Sequence, residues 1–113
     1  MELAQACKRI AAAQPPLVRA RLPCKIFGDT HGQLRDVLLL FASSGAPTHK
    51  NAGDVELCSY VFNGDFIERG EHQVALVALL FALKALYPQR IYLVRGNHEF
   101  RSTSERMGAT SFR

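Results

Sequence analysis

The chain has 113 residues, 48% of them hydrophobic and 21% charged, with a formal charge of +4. That is the composition of one folded domain with a modest core, and it excludes a disordered or fibrous chain. The Lys and Arg are scattered and form no run interleaved with aromatics, so nucleic acid is not an expected partner.

The predicted elements follow in chain order. Glu2 to Ala13 reads as a helix stopped by Pro15 and Pro16. The β-prone run Lys25-Ile26-Phe27 leads into Gly28-Asp29-Thr30-His31-Gly32, and Leu34 to Ala42 reads as a second helix closed near Gly45. Residues 43–58, where Gly45, Pro47, Asn51 and Gly53 break any periodicity, read as an internal surface loop of a single domain over 1–113. The run Ser59-Tyr60-Val61-Phe62 leads into Gly64-Asp65-Phe66-Ile67-Glu68-Arg69-Gly70. A strongly apolar helix is expected from Val74 to Tyr87, ended by Pro88, and Ile91-Tyr92-Leu93-Val94 then leads into Gly96-Asn97-His98-Glu99. The longest apolar run, Val74 to Leu83, is about half a membrane span, and no basic-then-apolar leader opens the chain. A membrane is therefore not an expected partner. Cys7, Cys24 and Cys58 lack CxxC spacing, which suits reduced thiols in the cytoplasm or nucleus, with Cys24 and Cys58 as small core residues.

Strand, polar loop, helix, strand is the βαβ pattern. Its right-handed crossovers make the strands parallel and bring the three loops to one edge of the sheet. Asp29 and His31 are spaced i, i+2, so in an extended segment both side chains point the same way and can hold one cation. Asp65 has two carboxylate oxygens and can bridge two ions, while Asn97 offers a neutral oxygen. This mixed set suits manganese, iron or zinc better than calcium or a thiolate-bound metal. Two such ions about 3.5–4 Å apart activate a water and clamp a phosphoryl group for in-line attack. His98 is then the candidate general acid with Glu68 as the carboxylate that orients it, and Arg69 offers a planar fork of donors for phosphate oxygens.

GDTHG, GDFIERG and GNHE, in this order, resemble the three N-terminal signature motifs of the PPP family of metal-dependent serine/threonine phosphatases. The similarity runs from about Gln14 to Glu99 and includes KIFGDTHGQL and YPQRIYLVRGNHE. The resemblance implies an α/β fold, the N-terminal half of the calcineurin-like metallophosphoesterase αββα sandwich, with βαβαβ connectivity. It implies hydrolysis of phosphoserine and phosphothreonine in proteins, with phosphoproteins as substrates and a regulatory protein subunit as a further partner. Asp29, His31 and Asp65 match the ligands of one metal and Asp65 and Asn97 those of the other, with His98 as proton donor and Arg69 as phosphate contact.

Two departures stand out. The family has Asp where this chain has Glu68, one methylene longer, and misplacement of about 1 Å can cost ~100-fold in rate. In the family, two further histidine ligands, another arginine and half the sandwich come from sequence beyond GNHE. The expectation for the 113 residues alone is therefore one well-held metal, an incomplete second site and weak turnover. His49 and His72 sit in no matching motif and are expected on the surface, as are Arg101, Arg106 and Arg113, although the first is near enough to graze an acidic substrate. The stretch between the first two motifs is longer than in common members, as in the Kelch-repeat branch. Two other readings stay open. One is a metallophosphoesterase acting on nucleotides or dinucleoside polyphosphates; the other is a non-catalytic interaction module, favoured by Glu68 and opposed by the intact Asp29, His31, Asp65, Asn97 and His98.

Overall fold

A computed structural model describes residues 2–50 and 53–106. Its elements are α1 (Glu2–Ala12), β1 (Cys24–Phe27), α2 (Leu34–Ser44), β2 (Ser59–Phe62), α3 (Gln73–Leu86), β3 (Ile91–Leu93) and α4 (Arg101–Arg106). The strands stand in the order β1-β2-β3 and both pairs are parallel, so the βαβαβ reading holds. Strand and helix limits lie within two residues of those expected from the sequence, apart from the added α4. Among the described residues, no helix is long and apolar enough to cross a membrane.

The helices α2 and α3 each bury one stripe, as their apolar spacing requires. In α2 the buried residues are Val37 and Phe41, and in α3 they are Leu76, Leu80 and Lys84, each one turn from the next. These residues close over the sheet face formed by Phe27, Tyr60, Phe62 and Ile91. Phe27 stacks on Phe62 at 4.8 Å between ring centres and meets Phe41 edge-on at 5.8 Å. Full burial of each such side chain stabilises the fold by roughly 1.5–3 kcal/mol. Across the sheet, Ile26 pairs with Val61 and Val61 with Tyr92; Ile26 lies on the face away from that core and is 72% exposed.

Lys84 is the one charge in the stripe. It is 3% exposed, and its ammonium donates to the carbonyls of Pro88 (3.0 Å) and Ile91 (2.7 Å), which ties the end of α3 to the start of β3. Burial pushes this ammonium below its ordinary pKa, and the nearby Cys7 thiol opposes the shift only in part. Cys7 is itself buried under α1, and Cys58 is buried beside β2, whereas Cys24 is half-buried.

The connection from α2 to β2 is fastened at its middle. Lys25 on β1 donates to Asp54 Oδ2 (2.6 Å) and to the Gly45 carbonyl (3.1 Å), and also reaches the Ser44 carbonyl. The Tyr60 hydroxyl donates to Asp54 Oδ1 and lies 2.9 Å from the Gly45 carbonyl. Val55, 1% exposed, fills the space beneath. Burial pushes the Asp54 carboxyl up, but the bonds from Lys25 and Tyr60 and the Lys25 charge outweigh it, leaving the pKa below its ordinary value. The same burial, with the Asp54 bond, pushes the Tyr60 hydroxyl far up.

Candidate metal centre

Because the strands are parallel, the three segments that follow them emerge at one sheet edge, where the backbone no longer has a ladder to bond to. The segments bond to one another instead. Thr30 and His31 donate their N–H groups to the Asp65 carbonyl (3.1 and 2.9 Å), and Gly32 donates to the Phe66 carbonyl (2.8 Å). The same loops hold left-handed backbone at His31 (φ 38°), Asp65 (φ 54°), Glu68 (φ 70°) and Arg69 (φ 70°). Such conformations cost of order 1 kcal/mol or more each and persist where the surroundings over-determine them, typically at functional sites. At Gly64 (φ 94°) the segments approach so closely that a Cβ would lie 2.3 Å from the Gly96 nitrogen.

Glu99 is the clamp of this cluster. Its Oε2 accepts from the N–H groups of Asp65 (2.8 Å) and Gly96 (2.9 Å), and its Oε1 accepts from that of Phe66 (2.7 Å). One carboxylate thus satisfies three backbone donors on two loops and fixes where Asp65 stands. The sequence reading quoted Glu99 within its motif and gave it no role. The available signal was a carboxylate placed just past the end of a strand, where unpaired N–H groups gather.

His31 is 8% exposed, and its Nδ1 lies 2.7 Å from the Ile67 carbonyl. A carbonyl only accepts, so Nδ1 carries a proton and Nε2 is the nitrogen turned toward the site, the arrangement that orients metal-binding histidines. Nε2 sits 3.6 Å from Asp29 Oδ2, and the Asp29 side chain is 65% exposed. Asp65 Oδ1 accepts from the His98 N–H at 2.9 Å. The His98 ring, 8% exposed, stands edge-on to that of His31 with 4.7 Å between centres. One ligand atom each from His31, Asp65 and His98 lies within 4.8 Å of the others.

The remaining expected site residues are placed differently. Asn97 is exposed in the third loop and Arg69 is exposed in the second. Glu68 is 3% exposed; its N–H donates to Gln73 Oε1 at 2.9 Å, and its Oε1 has no hydrogen-bond partner. His98 Nδ1 is likewise buried without one, so the orienting bond from Glu68 to His98 is not made here. His49 is exposed and paired with Glu56 at 2.9 Å, and His72 is exposed before α3.

Buried polar atoms without partners are few in native structures and each asks for an explanation. Glu68 Oε1 and His98 Nδ1, together in these loops, fit a site built around charged ligands. The donors, imidazole with carboxylate and amide oxygen, fit manganese, iron or zinc.

The comparisons agree with this geometry. The family model of the calcineurin-like phosphoesterases matches residues 22–112. Over 98 residues the chain is 42% identical to serine/threonine-protein phosphatase BSL2 of Arabidopsis thaliana, covering 87% of this chain and 9% of that protein. Over 94 residues it is 37% identical to the PP2A-like serine/threonine-protein phosphatase PPG1 of Candida albicans, covering 83% of this chain and 21% of that protein. A solved serine/threonine phosphatase from Saccharomyces cerevisiae with similarity to human phosphatase PP5 superposes with a TM-score of 0.79 at 31% identity, covering 96% of this chain and 34% of that one. The chain thus spans about a third or less of each of these proteins. Three polar loops at one edge of a parallel sheet and a family match over residues 22–112 lead to one assignment: the chain belongs to the calcineurin-like phosphoesterase family.

Proposed function

We propose that the protein hydrolyses phosphoserine and phosphothreonine in other proteins, using two metal ions held by Asp29, His31, Asp65 and Asn97. The observation that carries this reading is the fixed His31, whose Nδ1 is committed to the Ile67 carbonyl and whose Nε2 faces Asp29 beside Asp65 and His98. Bound ions would supply an activated water and charge stabilisation for the phosphoryl oxygens. The chain's own residues do the rest. Asp29 and Asp65 bring negative charge to the cations, and the left-handed turn at Asp65 is held by Glu99. Exposed Arg69 binds phosphate oxygens of the arriving substrate, and His98 gives a ring proton to the serine or threonine oxygen as it leaves. For that step Glu68 must bond to His98, a closing movement of two buried side chains. The free thiols fit the cytoplasm or nucleus, and a regulatory protein subunit is the further partner in this reading.

The test is metal-dependent hydrolysis of phosphoserine and phosphothreonine peptides by the chain, with a dinucleoside polyphosphate as rival substrate and Asp65→Asn as control. Slow hydrolysis of the peptides that chelator and Asp65→Asn both abolish is expected. Preference for the dinucleotide transfers the reading to the nucleotide enzymes. Metal binding without turnover on either substrate leaves the interaction module, which the unmade bond between Glu68 and His98 favours.

A further inference from the structure

We propose that Gln73, the first residue of α3, is a positioning residue for the substrate's phosphate: its side chain holds the left-handed pair Glu68 and Arg69, and so sets the direction in which Arg69 is presented. The inference rests on the reading that Arg69 binds phosphate oxygens, and goes beyond it in naming the residue that sets that contact.

Three observations carry it. Glu68 and Arg69 both have φ 70°, two non-glycine residues in left-handed backbone one after the other. Each is disfavoured in a free chain, so the pair reverts to ordinary backbone unless its surroundings pin it. Gln73 supplies the pin: its Oε1 accepts the Glu68 N–H at 2.9 Å from five residues further along the chain. The Glu68 carbonyl in turn accepts the Gly70 N–H at 2.9 Å, which closes the turn around Arg69. Second, the same side chain touches both loops. A Cβ on Gly32 would come within 2.8 Å of Gln73 Cγ, so the stem of the half-buried glutamine rests on the first loop while its end bonds the second. The His72 N–H also donates to the Gly32 carbonyl at 3.2 Å. Third, α3 is seated in the core by Leu76 and Leu80, both 0% exposed, so the pin is tied to the packed body of the fold. Arg69, by contrast, is exposed, and its aim follows the backbone that carries it.

A side chain without that oxygen leaves the part-buried Glu68 N–H without its acceptor. The turn then relaxes toward negative φ, and the Cα–Cβ bond of Arg69 swings away from the edge where the three loops meet. Arg69 grips phosphate before and during the reaction alike, so the loss falls on KM and leaves kcat in place.

The experiment is a double-mutant cycle on the full 113-residue chain with manganese present. Wild type, Gln73→Met, Arg69→Ala and the double variant are compared by KM and kcat on a phosphoserine peptide, with circular dichroism as the folding control. Gln73→Met should raise KM about fivefold, the factor that one hydrogen bond of ordinary strength supplies, with kcat unchanged. In the Arg69→Ala background it should add nothing, because the residue it acts through is gone. Amide hydrogen exchange gives a second readout: the Glu68 N–H should be protected in wild type, unprotected in Gln73→Met and protected again in Gln73→Glu, which keeps an oxygen at that place. The wild-type exchange rate needs no variant and decides the matter even if Gln73→Met fails to fold. Rapid exchange at Glu68 in wild type, an unchanged KM in folded Gln73→Met, or an equal loss in the Arg69→Ala background overturns the inference while the phosphatase reading stands. No peptide hydrolysis by the wild-type chain overturns both.

Discussion

Removing the Glu99 carboxylate is the sharpest test of how the loops are held. In Glu99→Ala the N–H groups of Asp65, Phe66 and Gly96 lose their shared acceptor, at 2.8, 2.7 and 2.9 Å. Hydrogen bonds to a charged group contribute about 1.5–3 kcal/mol each when buried, and about 1 kcal/mol each here because these donors are only part-buried and recover some water. Allowing for that, the three together amount to about 3 kcal/mol, a large share of the ~5–15 kcal/mol that holds a domain of this size. Glu99→Gln should cost about half as much. Its amide oxygen, placed where Oε2 lies, keeps the donors of Asp65 and Gly96, while its NH2 faces the Phe66 N–H without bonding it. Urea unfolding gives the numbers: with a slope of ~2 kcal/mol per molar, the midpoint falls by roughly 1.5 M for Ala and half that for Gln. Metal affinity should fall 10–100-fold in Glu99→Ala, since Asp65 loses its anchor. A midpoint shift below about 0.5 M with unchanged metal affinity would refute the clamp.

Gly64→Ala places a methyl group 2.3 Å from the Gly96 nitrogen on a backbone with φ 94°, so a loss above ~2 kcal/mol in unfolding free energy is expected, with reduced cobalt uptake. The Asp54 carboxyl, lower in pKa folded than unfolded, contributes stability that is fully present above its unfolded value of about 3.9 and is lost as pH falls through the folded value. Asp54→Asn should therefore cost about 1–2 kcal/mol at neutral pH and flatten the acid limb of a stability-against-pH curve; an unchanged limb would show that the Lys25 and Tyr60 contacts do not hold the carboxylate.

Much of this was legible in the sequence, for reasons that particular residues make clear. The β-prone runs at 25–27, 59–62 and 91–94 each end at a polar, glycine-bearing loop, and the parallel sheet that follows gathers those loops at one edge. Pro88 ended the third helix as expected, two residues after Leu86. What periodicity could not show were polar contacts between residues distant in sequence. Lys84 stands in a segment read only as a strongly apolar helix, yet its flexible stem lets it bury and bond the carbonyls before and within β3. Lys25, Asp54 and Tyr60 come from three segments, and only folding brings them together. Pairing Glu68 with His98 was a judgement from chemistry, and the unmade bond depends on a loop whose left-handed turns at Glu68 and Arg69 no sequence pattern announces.

Those turns also bear on how the protein would evolve under selection. His31, Asp65, Glu68 and Arg69 all hold backbone that glycine or asparagine adopts with less cost, and Glu68 also buries a carboxylate oxygen without a partner. A library of variants screened only for survival on heating should therefore collect glycine and asparagine at positions 68 and 69 before it improves the apolar core, gaining on the order of 1 kcal/mol at each. The survivors would be sturdier and inert, and the positions at which they gathered would trace the outline of the site with no substrate in the tube.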